Sequence, residues 1–563
     1  MDTKFISRTI AGGLLVIILC LFYFQIIKGE GYLSKAKNNY IKAVNYPSIR
    51  GSVFDRNKTL LAVDKPNFNL AVIPYQIKGQ KDSLFKELSY CSGMSEKRIS
   101  VYYRRNFKNI FSPVDVLINI DKEKALEIKD KFKEKVVLRV IPKRFYTFDY
   151  EFSHLLGYVK EDKVVHKDIK KYGYSPYQIA GVNGIERTYN DFLKGEGGAE
   201  LIEVNSRGRI VGFLGKRERV KGKDVFLSVD SRIQKIAYES LGEFTGTIII
   251  MNPHTGEIIS LVSKPSFNLN DFIEAKNIEK IFDDRKKPLI NRAVQARYPL
   301  GSVFKVIVAI AALEERIITP FTTFTCEGKL AFGDTVFKCW SIHGQQDLYN
   351  ALAHSCNVYF YQLGLRLKVE KIAKWAKIFS LDKLSGIDLP YEKKGLVPER
   401  KWKKKHREMN WFGGDTLNFS IGQGYLAVTP IRSALFMSAF VNGGYLVSPY
   451  VVKTVEGQDI SYPKKVKIPV SSNNLKIVNQ GLRGVILKKD GTAHLLESLN
   501  LKIAGKTGTA QTAGKSHSWF VGFFPYNNPK YTMCVFLENG GSGSKAVKVT
   551  YEMLKRLKED NLL

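Results

Sequence analysis

The first strongly apolar stretch of the chain runs from Thr9 to Ile27 and contains 19 residues without a charge. As a helix it would rise about 28 Å, which matches the hydrocarbon core of a bilayer. A cleaved signal peptide has a shorter apolar region and a small-residue cleavage site, whereas Lys28-Gly29-Glu30-Gly31-Tyr32 follows this run. The pattern predicts a cytoplasmic N-terminus over residues 1–8 and an uncleaved transmembrane signal anchor over residues 9–27.

Residues 28–235 combine short apolar alternations with lysine-rich helical periodicity. Asn69–Ile73 has the pattern of a strand, and Asp121–Lys135 has the pattern of a helix. Residues Gly31–Asn45 are polar and helix-compatible, and Pro47 ends that segment. No nucleophile and base stand together in this part, so we expect an α+β pedestal domain that carries or positions a catalytic domain.

The periodicity is stronger in residues 236–563 and predicts one sheet with helices around it. Thr247–Met251 and Glu257–Val262 flank the turn Asn252–Gly256, as in a β-hairpin. Three strands and a closing helix are expected late in the chain, at Lys502–Thr509, Ser518–Phe523, Tyr531–Leu537 and Ala546–Lys558. The first two and last three strands would form an antiparallel five-stranded sheet flanked by helices, and the fold class is α+β.

A predicted helix over Gly301–Leu313 is apolar nearly all round and is therefore expected to be buried. Its first turn contains Ser302 and Lys305, and a spacing of three places the hydroxyl and the amine on one face, within hydrogen-bond reach. A desolvated lysine among positive neighbours can be neutral enough to take the proton of a serine nucleophile. The pair alone does not identify a site, because the same spacing occurs at Ser83/Lys86 and Ser542/Lys545.

Two further motifs follow in the same half of the chain. Ser355-Cys356-Asn357 supplies a hydroxyl and an amide, and Lys506-Thr507-Gly508-Thr509 lies on a predicted strand. Gly508 would let a substrate backbone approach closely, and the ammonium and hydroxyl groups around it would hold a carboxylate. An S-x-x-K motif followed by an S-D-N-type motif and K-T-G is the signature of penicillin-binding proteins and class A β-lactamases.

Composition adds a strong positive charge, since Lys plus Arg exceeds Asp plus Glu by 87 − 54 = 33. Such a surplus draws a protein toward anionic surfaces, either phospholipid headgroups or nucleic acid. Lysines lie on both sides of the apolar segment, so the positive-inside rule does not orient it. The basic run Lys401–Arg407 is typical of solvated surface, unless Trp402 and Trp411 place it along the approach to a cleft.

Longer segments around the motifs resemble class B penicillin-binding proteins. The nucleophile is preceded by Tyr298–Gly301, the second motif is followed by Val358–Tyr361, and Gly422–Pro430 precedes the third. Ile49–Asn57 and Gly184–Glu186 resemble the pedestal motifs of the same class. The resemblance covers nearly the whole chain and is greatest for the elongation-specific members, rather than the division-specific ones.

This resemblance implies a peptidoglycan D,D-transpeptidase that works through an acyl-enzyme and needs no cofactor for its chemistry. Ser302 would attack the carbonyl of the D-Ala-D-Ala bond in a donor stem peptide, with Lys305 as the base. D-Alanine would leave, and the amine of a second stem peptide would resolve the acyl-enzyme. A β-lactam would acylate the same serine.

The resemblance also assigns roles to the other motif residues. Ser355 and Lys506 would relay a proton to the leaving nitrogen, and Asn357 would hold the substrate amide. The backbone N–H groups of Ser302 and Thr509 would form an oxyanion hole, in which each donor typically contributes about 3–4 kcal/mol. The substrate carboxylate would bind at Thr507, Gly508 and Thr509.

The same resemblance implies where the enzyme works. Lipid-linked cell-wall precursors are polymerised outside the bacterial cytoplasmic membrane, so the catalytic domain would lie on the periplasmic or extracellular side and would not meet nucleic acid. The expected partners are the membrane, peptidoglycan stem peptides, the lipid-linked precursor, a SEDS-family glycosyltransferase of the RodA type and other rod-complex proteins.

Other functions fit parts of the pattern. A penicillin-sensing receptor would need a cytoplasmic output domain, and only eight residues precede the apolar segment. A β-lactamase would need a carboxylate that activates water, and no motif position supplies one. A silent scaffold that only activates a glycosyltransferase is disfavoured, because all motif residues are intact. A septal transpeptidase of the same class is the main alternative.

Three cysteines and a histidine have a spacing that suits a metal ion. Cys326, Cys339, His343 and Cys356 form a Cys₃His set of the kind that binds zinc tetrahedrally. Because Cys356 lies inside the second motif, a metal there would brace that motif. A Cys326–Cys339 disulfide, which an oxidising exterior permits, and free thiols are the alternatives.

Overall fold

The computed structural model describes residues 3–107, 110, 113–162, 178–205, 210–460 and 464–563. Its first helix, α1 (Thr3–Phe22), continues into a π-helical turn, Tyr23–Ile27. The 25 residues Thr3–Ile27 are apolar and long enough to cross a membrane, and none of the most apolar stretch is buried within the protein. The predicted N-terminal apolar helix is therefore confirmed.

The pedestal region mixes short helices with long strands, as the sequence predicts. Its helices are α2 (Gly29–Tyr40), α3 (Lys81–Ser92), α4 (Glu96–Asn106), α5 (Lys122–Phe132), α6 (Ser153–Leu156), α7 (Gly184–Thr188) and α8 (Asn190–Leu193), with a 3₁₀ turn at Lys133–Lys135. Its strands are β1 (Ile41–Tyr46), β2 (Val53–Phe54), β3 (Leu60–Val72), β4 (Val114–Ile120), β5 (Val137–Tyr146), β6 (Val159–Asp162), β7 (Gln178–Gly181), β8 (Gly198–Val204), β9 (Ile210–Arg217) and β10 (Val225–Leu227).

The end of the segment Gly31–Asn45 differs from its helix-compatible prediction. The helix α2 ends at Tyr40, and β1 then pairs antiparallel with β8, with Ile41 opposite Glu203. Pairing with a strand that lies far along the chain overrides the local helical preference of these residues. The strand β3 pairs with both β4 and β5 and forms the centre of the main pedestal sheet.

A buried ionic network ties the two pedestal motifs together. Arg50 Nε lies 2.6 Å from Glu186 Oε2, and Arg144 Nε lies 2.7 Å from Glu186 Oε1. Burial alone raises the pKa of Glu186, but the guanidinium groups of Arg144 and Arg50 hold it below its ordinary value. Arg144 also pairs with the buried Asp64 at 3.4 Å, whereas Glu186 is the carboxylate that ion-pairs with Arg50 among the described residues.

We expect Glu186→Ala to destabilise the pedestal by about 3–5 kcal/mol, because removing one partner leaves buried charge uncompensated. The free energy of opening can be measured from hydrogen exchange of the β3 and β5 amides in the full chain. Glu196→Ala is the matched control, since it removes an ion pair with Arg217 whose side chains are both more than half exposed. The control should lose less than about 1 kcal/mol, and equal losses in the two variants would contradict a compensating role for Glu186.

The second half contains most of the helices. They are α9 (Ser231–Ser240), α10 (Leu269–Glu274), α11 (Ile278–Asp283), α12 (Lys305–Glu314), α13 (Leu348–Ala353), α14 (Asn357–Ile378), α15 (Arg400–Arg407), α16 (Gly413–Ser420), α17 (Pro430–Val441), α18 (Ser472–Leu487) and α19 (Gly543–Glu559), with 3₁₀ helices at Gly301–Phe304 and His494–Leu499. The strands are β11 (Gly246–Met251), β12 (Ile258–Lys264), β13 (Phe324–Cys326), β14 (Lys329–Phe332), β15 (Thr335–Lys338), β16 (Gly344–Gln346), β17 (Tyr445–Val447), β18 (Val452–Val455), β19 (Gln458–Asp459), β20 (Lys465–Lys467), β21 (Ala504–Ala510), β22 (His517–Phe524) and β23 (Tyr531–Leu537).

The described residues of this half form the predicted five-stranded antiparallel sheet, in the order β12-β11-β23-β22-β21. Successive residues of β11 alternate between two hydrophobic cores, with Ile248 and Ile250 in one and Ile249 and Met251 in the other. The helices α9 and α19 pack on one face, and α17 packs on the opposite face. Burial on both faces explains the continuous apolar runs in the sequence.

The two halves share a sheet and a buried carboxylate. The strand β18 pairs with β10, so the pedestal sheet continues into the second half of the chain. The carboxylate of Asp388 accepts hydrogen bonds from the backbone N–H groups of Val451 and Val452 at 2.7 and 2.8 Å, and from the Tyr189 hydroxyl at 2.9 Å. These contacts fix the α7 region of the pedestal against the second half.

Candidate active site

Ser302 lies at the start of the central buried helix. The residue before it, Gly301, has a backbone conformation and surroundings that favour glycine. Gly301 has φ +54°, its N–H donates to Gly422 O at 3.0 Å, and a Cβ added there would lie 2.5 Å from Thr509 O. Residues Gly301–Phe304 form a 3₁₀ turn that leads into α12. Ser302 is half-buried, and its hydroxyl has no hydrogen-bond partner among the described residues.

Lys305 links the first motif to the second. Its Nζ donates to Ser355 O at 2.7 Å, to Ser355 Oγ at 3.3 Å and to Asn357 Oδ1 at 2.7 Å. Burial lowers the pKa of Lys305 to about 8. The predicted hydrogen bond between Lys305 and Ser302 is not made within the part of the chain that the structure describes, because the amine is directed to the second motif.

The second motif is held in an unusual backbone conformation. Ser355 has φ +56°, a left-handed conformation that a residue with a Cβ adopts rarely. Asn357 begins α14, and its Nδ2 donates to Lys338 O at 3.2 Å while its Oδ1 accepts from Lys305. The amide of Asn357 is thus oriented on both sides, which fixes the direction of the group that was predicted to meet the substrate.

The third motif lies on a strand, as predicted, and this strand, β21, is at the edge of the five-stranded sheet. Lys506 is fully buried, and its Nζ donates to Thr507 O at 3.3 Å. It makes no ion pair with a carboxylate in the described residues. Burial, and then the nearby charge of Lys305, lower the pKa of Lys506 well below its ordinary value.

Gly508 brings the strand β21 against the segment that carries the serine. A Cβ added at Gly508 would lie 2.8 Å from Leu300 O and 2.9 Å from Val303 Cγ2. Gly508 is predicted to let a substrate backbone approach closely, and in the structure the position that a Cβ would take is occupied by the protein itself. Glycine is needed here so that Ser302 and the third motif can lie next to each other.

Two residues that the motif argument did not assign support the third motif. Thr492 shares a hydrogen bond with Thr507 between their hydroxyl oxygens at 2.8 Å, and Gln423 Nε2 donates to Thr509 O at 3.2 Å. Gln423 lies in the segment Gly422–Pro430, whose sequence resembles that of class B penicillin-binding proteins. Thr492 lies in the loop after α18, and no motif in the sequence indicates that it contacts Thr507.

The charge of the site is carried by amines. No carboxylate makes a hydrogen bond or ion pair with Ser302, Lys305 or Lys506 in the described ranges of the chain. The arrangement can therefore activate a serine and bind an anionic group. It offers no carboxylate in contact with these three residues that could activate a water to hydrolyse an acyl-enzyme.

The four predicted metal-ligating residues lie together beside the second motif. Their sulfur and nitrogen atoms all lie within 4.8 Å of one another, and they are Cys326, Cys339, His343 and Cys356. His343 Nδ1 lies 3.5 Å from the sulfurs of both Cys326 and Cys339. The backbone N–H of Asn357 also donates to Cys339 Sγ at 3.2 Å, so the cluster contacts the second motif directly.

The alternative disulfide between Cys326 and Cys339 is not formed. None of the six cysteines forms a disulfide, and all six lie within the described residues. The strand pair β13–β16 encloses the hairpin β14–β15, and together they bring Cys326, Cys339 and His343 to the N-terminus of α14, where Cys356 is the N-cap residue. The cluster therefore joins three elements that are separate in the sequence.

Comparisons with known proteins agree over most of the chain. Residues 246–556 match the penicillin binding protein transpeptidase domain, and residues 45–227 match the penicillin-binding protein dimerisation domain. The chain is 30% identical to the peptidoglycan D,D-transpeptidase MrdA of Haemophilus influenzae over 96% of its length and 89% of that protein. It is 29% identical to MrdA of Escherichia coli K12 over 94% of its length and 89% of that protein.

The chain is also similar in structure to solved proteins that act on peptidoglycan or bind penicillin by name. The penicillin-binding protein PBP2 of Helicobacter pylori in complex with MreC has a TM-score of 0.81 and 30% identity, covering 93% of this chain and 99% of that chain. A solved structure that concerns the structural coordination of polymerization and crosslinking by a peptidoglycan synthase complex has a TM-score of 0.74 and 28% identity. It covers 98% of this chain and 97% of that chain.

Proposed function

The chain belongs to the family of penicillin-binding proteins with a transpeptidase domain, and from that membership we propose how its residues carry out the reaction. The protein is an enzyme, a serine-type peptidoglycan D,D-transpeptidase of the elongation-specific kind. Its reaction cross-links the stem peptides of peptidoglycan strands and releases D-alanine. Ser302, Lys305, Ser355, Asn357 and Lys506 form its catalytic machinery.

In acylation, the Ser302 hydroxyl attacks the carbonyl carbon of the D-Ala-D-Ala peptide bond and gives its proton to Lys305. The oxyanion that forms accepts hydrogen bonds from the backbone N–H groups of Ser302 and Thr509. The C–N bond then breaks, and Ser355 with Lys506 supplies a proton to the nitrogen of the departing D-alanine. A fully buried lysine without a carboxylate partner among the described residues supports this role of Lys506.

In the second step, the amine of an acceptor stem peptide attacks the ester carbonyl at Ser302. The new amide is the cross-link, and the proton lost by the amine returns through the lysines to the Ser302 oxygen. Asn357 orients the donor peptide amide, and Thr507 and Thr509 hold its terminal carboxylate. The amines at the site, which have no carboxylate partner among the described residues, complement the anionic end of the donor peptide.

The observation that carries the proposal is the convergence of three motifs that are far apart in the sequence. Lys305 bonds Asn357 at 2.7 Å, and β21 lies against Leu300–Val303 at the positions of Gly508 and Gly301. The test is to incubate the full chain in nanodiscs with uncross-linked peptidoglycan strands that end in D-Ala-D-Ala. We expect one free D-alanine for each new cross-link, whereas D-alanine without cross-links would contradict a transpeptidase.

We propose that α1 anchors the protein in the cytoplasmic membrane with the catalytic domain on the outer side. The substrate supports this orientation, because stem peptides of the growing wall lie outside the membrane. The relatives suggest the partners, since the PBP2 structure contains MreC and another similar structure is a peptidoglycan synthase complex. A SEDS-family glycosyltransferase, other rod-complex proteins and the lipid-linked precursor are the partners we expect for this chain.

We also propose that Cys326, Cys339, His343 and Cys356 hold a structural zinc ion. A tetrahedral zinc with Zn–S bonds of about 2.3 Å and a Zn–N bond of about 2.0 Å places its sulfur and nitrogen ligands roughly 3.5 Å apart. In the structure, the distances from His343 Nδ1 to the sulfurs of Cys326 and Cys339 are both 3.5 Å. The ion would brace the second motif and would take no part in the chemistry.

We expect protein purified without added zinc to carry about one equivalent of the metal. Cys339→Ser should lose most of it, because it removes a thiolate ligand. Cys91→Ser, in the pedestal, is the matched control and should keep it. Elemental analysis measures the content, and less than about a tenth of an equivalent in the wild type would contradict the zinc proposal.

A further inference from the structure

An exposed cationic face on α15 is not used by the reaction described above. Four of its side chains are exposed and make no ion pair within the described part of the chain, namely Lys401, Lys404, Lys405 and Arg407. By contrast, Arg400 pairs with Glu370 and the buried Lys403 pairs with Asp415, each at 2.6 Å. Four uncompensated cations on one short helix produce a strongly positive local potential.

The cationic side chains lie next to a group of aromatic rings that pack against one another. The Trp402 ring lies 5.3 Å from the Tyr425 ring, and it stacks at 5.3 Å on the His406 ring with the Trp402 and His406 planes 21° apart. The Arg407 guanidinium lies 5.6 Å from the centre of the Tyr425 ring. Since Lys403 is buried and ion-paired beneath the helix, the surface is held in place. We name Trp402, Lys404, Lys405, Arg407 and Tyr425 the cationic ledge.

The ledge continues directly from the catalytic strand. Tyr425 lies two residues after Gln423, whose Nε2 donates to Thr509 O at 3.2 Å. Thr509 is the exposed residue at the end of the third motif. In the same segment, Gly422 O accepts from the Gly301 N–H at 3.0 Å. One segment therefore connects the backbone beside Ser302, the end of β21 and the ledge.

We infer that the cationic ledge binds carboxylate groups of a peptidoglycan strand outside the reacting D-Ala-D-Ala end. Stem peptides carry free carboxylates, which the ammonium and guanidinium groups of the ledge complement. Continuity with β21 favours the strand over a phospholipid surface as the occupant. The inference rests on the proposed function for the identity of the strand, and it adds a second subsite that selects acidic strands.

The test measures binding rather than turnover. The Kd of fluorescent, uncross-linked peptidoglycan strands is determined by anisotropy for the full chain in nanodiscs of neutral lipid. The ledge variant is Lys404→Glu/Lys405→Glu/Arg407→Glu, and its neutral counterpart is Lys404→Gln/Lys405→Gln/Arg407→Gln, which guards against misfolding of the first. The matched control is Lys122→Glu/Lys124→Glu/Lys129→Glu on α5, where three exposed lysines give the same change of net charge.

We expect the ledge variant to raise the Kd at least about tenfold, the neutral variant to raise it less, and the control to change it less than about twofold. Strands whose carboxylates are amidated should bind wild type as weakly as acidic strands bind the ledge variant. Equal Kd values for wild type and both ledge variants, or an equal loss in the control, would overturn the inference. Preference of the ledge for anionic vesicles over strands would overturn it as well. Acylation of the wild type by penicillin is measured separately. Normal acylation without a loss of strand binding in the ledge variants would overturn only the ledge inference, whereas absent acylation would contradict the proposed function.

Discussion

Ser302→Ala should abolish covalent labelling by a fluorescent penicillin and reduce cross-linking at least about a thousandfold. The substitution removes one oxygen from a half-buried side chain that makes no side-chain hydrogen bond to the described residues. The fold should therefore be unchanged, and the whole effect should fall on the covalent step. The measurements are the labelled band after electrophoresis and the rate of D-alanine release.

Ser83→Ala is the matched control for this prediction. Ser83 stands three residues before Lys86, as Ser302 stands before Lys305, but it is exposed on α3 in the pedestal. Its spacing is the same and its surroundings are different, so labelling should be unaffected. Labelling that persists in Ser302→Ala, or that is lost in Ser83→Ala, would mean that another residue is the nucleophile.

Lys305→Met should slow acylation by penicillin at least about a thousandfold while leaving the folded structure in place. Methionine fills a similar volume in the buried position, but it cannot take the Ser302 proton. It also cannot donate to Ser355 and Asn357, which Lys305 contacts at 2.7 to 3.3 Å. Acylation kinetics from single-turnover experiments, together with the temperature of thermal unfolding, separate the loss of chemistry from the loss of folding.

Lys545→Met provides the matched control for the lysine. Lys545 follows Ser542 with the same spacing, but it is exposed at the start of α19. Its removal should leave the acylation rate within about twofold of wild type. A Lys305→Met protein that is folded and acylates within about tenfold of the wild-type rate would exclude Lys305 as the base.

Local signals predicted the catalytic half of the fold well. The strands β11, β12, β22 and β23 are buried on both faces, and their runs of β-branched and aromatic residues are easily recognised. The first strand of the hairpin, Gly246–Met251, begins one residue before its predicted start and ends where predicted, and the second, Ile258–Lys264, begins one residue and ends two residues later than predicted. The pairing of early strands with late strands could also be predicted, because the backbone N–H and C=O groups of buried strands need hydrogen-bond partners on neighbouring strands.

Long-range contacts account for what the sequence did not predict. The strand β1 forms because β8 pairs with it, and β18 extends the pedestal sheet because it pairs with β10. In the site, the motif spacing correctly placed Ser302 and Lys305 on one turn, but it could not show that the amine turns to Asn357. That direction depends on the position of α14, which local periodicity does not define.

Peptide mapping of the penicillin adduct tests the central claim most directly, since the claim is that Ser302 is the acylated residue of a transpeptidase site. Trypsin cleaves after Arg297 and Lys305 and releases Tyr298–Lys305, in which Ser302 is the only serine. The full chain should carry a single adduct on this peptide, stable for hours because no carboxylate contacts Ser302, Lys305 or Lys506 in the described residues to activate water against it. An adduct on any other peptide, or release of the adduct within minutes, would contradict the account.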